Sequence, residues 1–241
     1  MATLLLVRHG RTTANTAGVL AGRTGGVHLD EKGREQAARA GARLAGVRLA
    51  ALVSSPLLRC KQTADAIAGA QEAPPPVAVE RALTECDYGE WQGRSLRDLA
   101  KEKLWHTVQV QPSAAGFPGG ETLAEMQARS VAAVRRLEAA VVAQHGPHAV
   151  WVAVSHGDVI KAVLADALGL HLDLFQRIQV DPASVSVVRY TSERPYVLGM
   201  NTHEGALDWT AAKPPSARRR RGAEVGGGAG PEPARSPGRP A

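Results

Sequence analysis

The chain alternates between short runs of apolar residues and longer segments in which apolar residues recur at helical spacing. Apolar runs of this kind are typical of strands buried in a sheet. We predict strands over residues 3–7, 51–53, 149–154, 185–188 and 196–198. Strands that alternate with helices of about 10–15 residues predict a layered α/β domain with a largely parallel sheet.

The helical segments carry signals for where they begin. Asp30 is a suitable cap for a helix over 30–45, and a long amphipathic helix is predicted over 122–144. A further helix, over 158–168, follows the third strand. Pro56 lies where we expect the first turn of the helix after the second strand, since proline is tolerated at that position.

Length and composition indicate one such domain followed by a tail. With 241 residues, 44% of them apolar, the chain is long enough for one sizeable core, and we assign the folded domain to residues 1–210. Residues 211–241 hold six prolines and six glycines. Because such a segment cannot bury enough apolar surface to offset its chain entropy, we predict a disordered tail over 211–241.

The positive charge of the chain is concentrated in that tail. Seven basic and two acidic residues within 211–241 account for +5 of the formal net charge of +6. The predicted domain is therefore nearly neutral, and we do not expect nucleic acid as its partner. We interpret the arginine run at 218–221 as solvated, with a weak contact to nucleic acid or an acidic surface as the alternative.

Several classes of protein are disfavoured by short signals. Two cysteines, Cys60 and Cys86, are too few for a secreted disulfide framework, and neither CxxC nor HExxH occurs. The apolar run at 4–7 is too short for a secretion signal, and no run approaches the roughly 20 apolar residues of a membrane span. We expect a cytoplasmic protein that has no membrane partner and binds no metal.

Polar residues follow three of the predicted strands at the point where each strand ends. They are Arg8-His9-Gly10, Ser54 to Arg59, and Ser155-His156-Gly157. Ligands of parallel sheets collect at the carboxyl ends of the strands, so these clusters are expected to converge. Two arginines beside two imidazoles suit a phosphate monoester.

The order of these motifs resembles the histidine phosphatase superfamily, the phosphoglycerate-mutase-like proteins of branch 1. The resemblance covers roughly residues 3–200 and is closest to the bacterial phosphatases and phosphomutases of that family. It is carried by RHG at 8–10, SSPLLRCKQTA at 54–64, ECDYGEWQG at 85–93, PGGET at 118–122 and SHG at 155–157. It implies a three-layer α/β/α sandwich around a largely parallel central sheet.

The resemblance also assigns roles to the residues that hold the phosphoryl group. His9 matches the nucleophile that becomes a phosphohistidine, and it must be neutral to attack. Flanking cations such as Arg8 and Arg59 are expected to lower its pKa toward that state. His156 matches the second catalytic histidine, which with the two arginines clamps the phosphate, and the Gly157 amide adds a donor at a helix N-terminus.

The proton donor is less sharply defined than the nucleophile. Glu85 matches the acid that protonates the leaving oxygen and then activates water. Asp87, two residues away, and Asp158 are the alternative acids, although Asp158 is more simply interpreted as a helix cap. Asn15 falls six residues after the nucleophile, as the phosphate-contacting asparagine of the family does.

Two positions depart from the family pattern. Arg11 stands where many relatives carry an acid or glutamine, and Ala21 stands near a position that is often polar. Arg23 is then the nearby polar group, and we expect it to contact the substrate and shape the preference for the leaving group.

Hydrolysis is the favoured reaction. Phosphomutases of the family hold a second anionic group with arginines from a long insert, whereas 93–119 spans only 27 residues and 106–119 contains no lysine or arginine. We therefore expect a phosphatase for small phosphomonoesters that uses no metal or organic cofactor. A phosphomutase is the alternative. A catalytically inactive phosphate-binding protein is disfavoured because His9, Glu85 and His156 are all present. The resemblance is also compatible with a homodimer.

Overall fold

The structure, a computed structural model, describes residues 2–211. Apart from Ala211, the predicted tail over 211–241 lies outside these described residues. None of the helices within residues 2–211 combines the length and apolarity that crossing a membrane requires.

The described residues form strands and helices in alternation. The strands are β1 (Thr3–Arg8), β2 (Leu49–Ser54), β3 (Val77–Val79), β4 (Val150–Ser155), β5 (Val185–Tyr190) and β6 (Pro195–Thr202). The α-helices are α1 (Thr13–Thr16), α2 (Glu31–Leu44), α3 (Leu58–Gly69), α4 (Leu96–Leu99), α5 (Lys103–Val110), α6 (Leu123–His145) and α7 (Gly157–Leu168). Short 3-10 helices cover Arg81–Leu83, Gly89–Trp91, Pro112–Ala114, Leu172–Arg177 and Asp208–Ala211.

One six-stranded sheet organises the domain, in the order β3-β2-β4-β1-β5-β6. The four strands from β3 to β1 pair in parallel, while β5 runs antiparallel to β1 and β6 antiparallel to β5. β1 and β4, which carry the longest buried apolar runs, are the central strands, as their composition predicts. The predicted largely parallel sheet is confirmed.

Both faces of this sheet are covered by helices. Alternate residues of β1 point to opposite faces, so Leu5 and Val7 join a core under α2 and α3. Leu4 and Leu6 join the larger core under α6 and α7. The α/β/α sandwich is therefore confirmed, with one apolar core in each interface between layers.

Local signals set the helix ends, with one correction. The Asp30 carboxylate accepts a hydrogen bond from the Gly33 amide and caps α2, and Thr122 opens α6 with a capping box. The expectation that Pro56 starts a helix was wrong, because α3 begins only at Leu58. The chain bends at Pro56 and Leu57 after Ser55 has turned towards the end of β4.

The loop after β1 lies unusually close to the start of α2. A Cβ on Gly33 would collide with the carbonyl oxygen of Arg11, and a Cβ on Gly10 would collide with the carbonyl oxygen of Gly33. Because Gly10 and Gly33 have no side chains, α2 can pack against the backbone that carries His9.

Gly33→Ala should consequently lower the free energy of unfolding by about 2–3 kcal/mol, because the added methyl group meets backbone that cannot move aside. Gly25→Ala is the matched control, since a Cβ there meets nothing within 4 Å. Urea unfolding of both variants beside the wild type measures the effect. Equal stability of the two variants would contradict the close approach.

Candidate active site

The carboxyl ends of three adjacent strands bring the predicted clusters together. Arg8 of β1 is in register with Ser155 of β4, and Ser54 of β2 with Val154. His9 and His156 each follow directly after these paired ends, and their ring centroids lie 5.3 Å apart. The site is thus built on the most buried part of the sheet.

His9 is held in one tautomer by its neighbours. Its Nδ1 lies 2.7 Å from the carbonyl oxygen of Gly10, which can only accept, so Nδ1 carries the proton. Arg59 Nε donates to His9 Nε2 at 3.2 Å. Burial, reinforced by the charges of Arg59 and Arg8, lowers the pKa of His9 well below its usual value. Nε2 is therefore unprotonated on a neutral ring, and its lone pair accepts the bond from Arg59 in this structure.

His156 is fully buried beside it. Its Nε2 lies 2.7 Å from the Ser55 hydroxyl, and Arg59 Nη2 lies 3.2 Å from Nδ1. Burial and the Arg59 charge lower the pKa of His156 well below its usual value, with smaller contributions from His9 and Arg8. The second imidazole is therefore also neutral.

Two guanidinium groups leave donors unpaired at this place. Arg8 Nη1 donates to the Val180 carbonyl at 2.7 Å, and Arg59 Nη2 to the Gly22 carbonyl at 2.7 Å. Arg8 Nε and Arg59 Nη1 are buried without a partner, and within residues 2–211 Ser184 Oγ is the third such side-chain atom. Buried charged donors without partners are costly, and an anion between the arginines would satisfy both.

Glu85 adds a carboxyl group to the same site. Its Oε1 accepts from the Cys86 amide at 3.0 Å, and its Oε2 lies 3.9 Å from His156 Nδ1. Burial first, and the neighbouring Asp158 charge second, raise the pKa of Glu85 to about 7. A carboxyl group with this pKa can both give and take a proton near neutral pH.

A cavity of about 260 Å³ opens where these groups meet. Six of the eight predicted site residues line it, namely Arg8, His9, Asn15, Arg59, Glu85 and Gly157. His156 lies behind the cavity wall, in contact with Arg59. A larger groove of about 490 Å³ between α6 and the β5–β6 turn contains none of the predicted site residues.

Three residues have surroundings that the sequence did not indicate. Arg23 does not line the cavity, because its guanidinium binds Asp87, Glu121 and the Glu85 carbonyl. Asp158 is not the cap of α7, since His156 occupies that position; Asp158 lies in the first turn and accepts from the Tyr88 hydroxyl at 2.7 Å. Asn15 Oδ1 caps α1 at Thr12, so a ligand would meet its NH2 group.

Sequence reasoning assigned no role to several residues at the site. Ser55 holds His156, while Tyr88 and Lys161 line the cavity around Asp158. Ser55 and Tyr88 belong to the quoted motifs, whereas Lys161 had no signal beyond its spacing of three residues from Asp158. Cys60 is buried against His156, and burial raises its pKa to about 12, so it stays a protonated packing residue.

Most of the described residues match one family. The sequence profile of the histidine phosphatase superfamily (branch 1) matches residues 4–203. The chain belongs to the histidine phosphatase superfamily. Members of this superfamily are phosphatases or mutases that act through a phosphohistidine.

Individual members similar to this chain include both kinds of enzyme. Phosphoserine phosphatase 1 of Hydrogenobacter thermophilus is 31% identical over 204 residues, which cover 83% of this chain and 92% of the relative. The 2,3-bisphosphoglycerate-dependent phosphoglycerate mutase 2 of Gloeobacter violaceus is 32% identical over 184 residues, 75% of this chain and 82% of the relative. A mycobacterial glucosyl-3-phosphoglycerate phosphatase, solved with VO3, has a TM-score of 0.75 and 27% identity over 83% of this chain and 98% of that one.

Other relatives of this chain are longer. The chain spans half the length of three mycobacterial relatives that are 34% identical over 194 residues, among them a bifunctional protein of Mycobacterium tuberculosis. The match covers 79% of this chain and 50% of each relative.

Glu85→Gln should stabilise the domain at high pH. Folding raises the pKa of Glu85 from 4.5 to about 7. Between these two pH values the folded protein therefore keeps a proton on Glu85 that the unfolded chain has lost. Wild-type stability therefore declines across that window relative to the variant, whose amide does not titrate. The advantage of the variant should grow by about 2 kcal/mol between pH 5 and pH 8.

Urea unfolding at the two pH values measures this difference. Glu72→Gln serves as the control, because Glu72 is an exposed carboxylate. An advantage of Glu85→Gln that is the same at both pH values would contradict a titrating buried carboxyl group.

Proposed function

We propose that this histidine phosphatase superfamily member hydrolyses small phosphomonoesters through a phosphohistidine on His9. The observation that carries the proposal is the neutral Nε2 of His9 beside two arginines, Arg8 and Arg59, each with a buried unpaired donor. These donors can bind the phosphoryl oxygens, and their charge offsets the charge that develops during transfer. The two guanidinium groups thus supply the positive charge that metal ions supply in other phosphatases.

The first step transfers the phosphoryl group to the enzyme. His9 Nε2 forms a bond to phosphorus while the bond from phosphorus to the ester oxygen breaks. Glu85, whose pKa of about 7 leaves about half of the molecules protonated at pH 7, gives its proton to the leaving alcohol oxygen. The Gly157 amide at the start of α7 lines the cavity and can donate to the transferred group, while the neutral imidazole of His156 holds Arg59 from behind the cavity wall.

The second step returns the enzyme to its starting state. The Glu85 carboxylate takes a proton from water, the water oxygen attacks phosphorus, and the bond to His9 Nε2 breaks. Inorganic phosphate leaves, and Glu85 is protonated again. One carboxyl group therefore serves as acid and then as base.

The lining of the cavity favours release of phosphate over transfer to a second anionic substrate. Among the lining residues within 2–211, Lys161 is the one cation besides Arg8 and Arg59, and it lies 3.5 Å from Asp158. A mutase must retain a molecule that carries further anionic groups. A single lysine that is already paired with a carboxylate binds such groups poorly. The volume of about 260 Å³ falls below the roughly 300–1,000 Å³ of pockets for drug-sized ligands, so the ester is expected to be small.

Phosphate release from p-nitrophenyl phosphate in the presence of EDTA tests the proposal. The same preparation is given 3-phosphoglycerate and scored for release against isomerisation. We expect release from p-nitrophenyl phosphate at the same rate with and without EDTA, and no isomerisation. Isomerisation without release would identify a mutase, and absence of turnover from folded protein would overturn the proposal in favour of the phosphate-binding alternative.

A further inference from the structure

The backbone of Glu85 is held by two arginines from distant parts of the chain. Arg23 Nε donates to the Glu85 carbonyl oxygen at 2.9 Å, and Arg129 Nη2 donates to the same oxygen at 3.1 Å. Arg129 Nη1 also donates to the Ala82 carbonyl at 2.7 Å. Two charged donors occupy both lone pairs of one carbonyl oxygen, so they fix this part of the chain.

Glu121 joins the two arginines. Its carboxylate accepts from Arg23 Nη2 at 2.9 Å, from Arg129 Nε at 2.9 Å, and from the Asp87 amide at 2.9 Å. The two arginines are 22–34% exposed at their side chains, and Glu121 is 16% exposed, so solvent screens these bonds only in part. Burial alone would raise the pKa of Glu121, but the hydrogen bonds from Arg129 and the Asp87 amide, together with the charges of the two arginines, lower it.

The same cluster continues to the phosphate site. Arg59 Nη2 donates to the carbonyl of Gly22, and the next residue along the chain is Arg23. The loop that carries Glu85 also packs tightly on the loop before α6, since a Cβ on Gly120 would collide with the Asp87 carbonyl. The carboxyl group and the phosphate-binding arginine are therefore connected through two bonded loops.

Neither Arg129 nor Glu121 lines the cavity, so neither can touch a substrate there. We propose that Arg23, Glu121 and Arg129 form a positioning network that holds Glu85 where it can protonate the leaving oxygen. This inference rests on the proposed hydrolysis through His9. It assigns Arg23 a different task from the substrate contact that the sequence suggested.

A positioning role has a kinetic signature that a general structural role lacks. p-Nitrophenolate leaves readily without a proton, whereas phenolate is a poorer leaving group and depends more on the acid. The two esters, p-nitrophenyl phosphate and phenyl phosphate, are nearly the same shape. A misplaced Glu85 therefore slows phosphoryl transfer from phenyl phosphate more than from p-nitrophenyl phosphate.

The test uses Glu121→Gln and Arg129→Gln in the full chain. We expect kcat/KM for phenyl phosphate to fall by about tenfold or more and that for p-nitrophenyl phosphate by less than about threefold. Because kcat includes hydrolysis of the phosphohistidine, which needs Glu85 as base, it should fall with both esters. Arg129→Lys, which keeps the charge, should recover part of the loss with phenyl phosphate.

Arg135→Gln is the matched control, since Arg135 lies on the same helix and pairs with Asp166 at the surface. It should leave the ratio of the two kcat/KM values unchanged. The network would be overturned if kcat/KM fell equally with both esters in variants that keep the wild-type thermal transition, or if it fell with neither ester. Both outcomes would leave the proposed function standing. A wild-type enzyme that cleaves neither ester would overturn the proposed function, and this inference with it.

Discussion

His9→Ala should lower kcat/KM for p-nitrophenyl phosphate by at least about 10⁴-fold. The variant has no nitrogen at the position of Nε2, and water alone cannot use the geometry set by Arg8 and Arg59. The phosphate clamp formed by Arg8 and Arg59 remains in the variant. Inorganic phosphate should therefore still raise the temperature of its thermal transition. Lost activity together with retained stabilisation by phosphate would show that the variant lacks the nucleophile but keeps the phosphate-binding site.

Steady-state release of p-nitrophenol measures this effect, with His106→Ala as the control because His106 is an exposed histidine outside the cavity. The control should keep wild-type activity. Residual activity of His9→Ala within about tenfold of the wild type would show that another group carries the reaction.

Arg59→Lys should lower kcat/KM by about 10²- to 10³-fold although the charge is kept. The guanidinium donates to His9 and to the Gly22 carbonyl and keeps Nη1 without a partner, all within one rigid plane. An ammonium group on a flexible stem cannot reach these partners together. The loss should appear equally with p-nitrophenyl and phenyl phosphate, because the clamp acts on the phosphoryl group and not on the leaving oxygen.

Arg97→Lys, a change at an exposed arginine, is the control for this substitution. It should retain wild-type kinetics with both esters. An Arg59→Lys enzyme with unchanged kcat/KM would show that a point charge suffices, and would contradict the assignment of the unpaired Nη1 to phosphate. If kcat/KM fell only with phenyl phosphate, Arg59 would act in protonation of the leaving oxygen and not in binding of the phosphoryl group.

The central part of the fold could be predicted because buried parallel strands have a strong signal. β1 and β4 are continuous apolar runs, and both were expected within one or two residues of their ends. β3 was missed, because it has only three residues, two of them exposed, at the edge of the sheet. α5 was missed because it has only eight residues, and its β-branched and aromatic side chains have low helix propensity.

The candidate site could be predicted in part, because its groups follow strand ends. The register of β1, β2 and β4 brings the predicted arginines and histidines together, and that register follows from the parallel sheet. The surroundings of Arg23 could not be predicted, since its bonds to Glu85 and Glu121 join positions 62 and 98 residues away. Sequence pattern carries no information on such tertiary pairs.

Arg129 illustrates the same limit within one helix. It shares α6 with Arg135 and Arg136, and all three occupy polar positions of the amphipathic pattern. The difference is tertiary, because Arg129 meets Glu121 and the Glu85 carbonyl while the other two pair with surface acids. Only the packing of the loops before α6 distinguishes them.

The most direct test of the account is to trap the covalent intermediate. The wild-type chain is mixed with p-nitrophenyl phosphate, quenched in alkali to preserve phosphohistidine, and analysed by intact mass and by mass mapping of the digested peptides. We predict the added mass of one phosphoryl group on the peptide that contains His9, and none in His9→Ala. A phosphoryl group on any other residue, or turnover without a phosphorylated enzyme in Glu85→Gln, where the intermediate should accumulate, would contradict catalysis through His9.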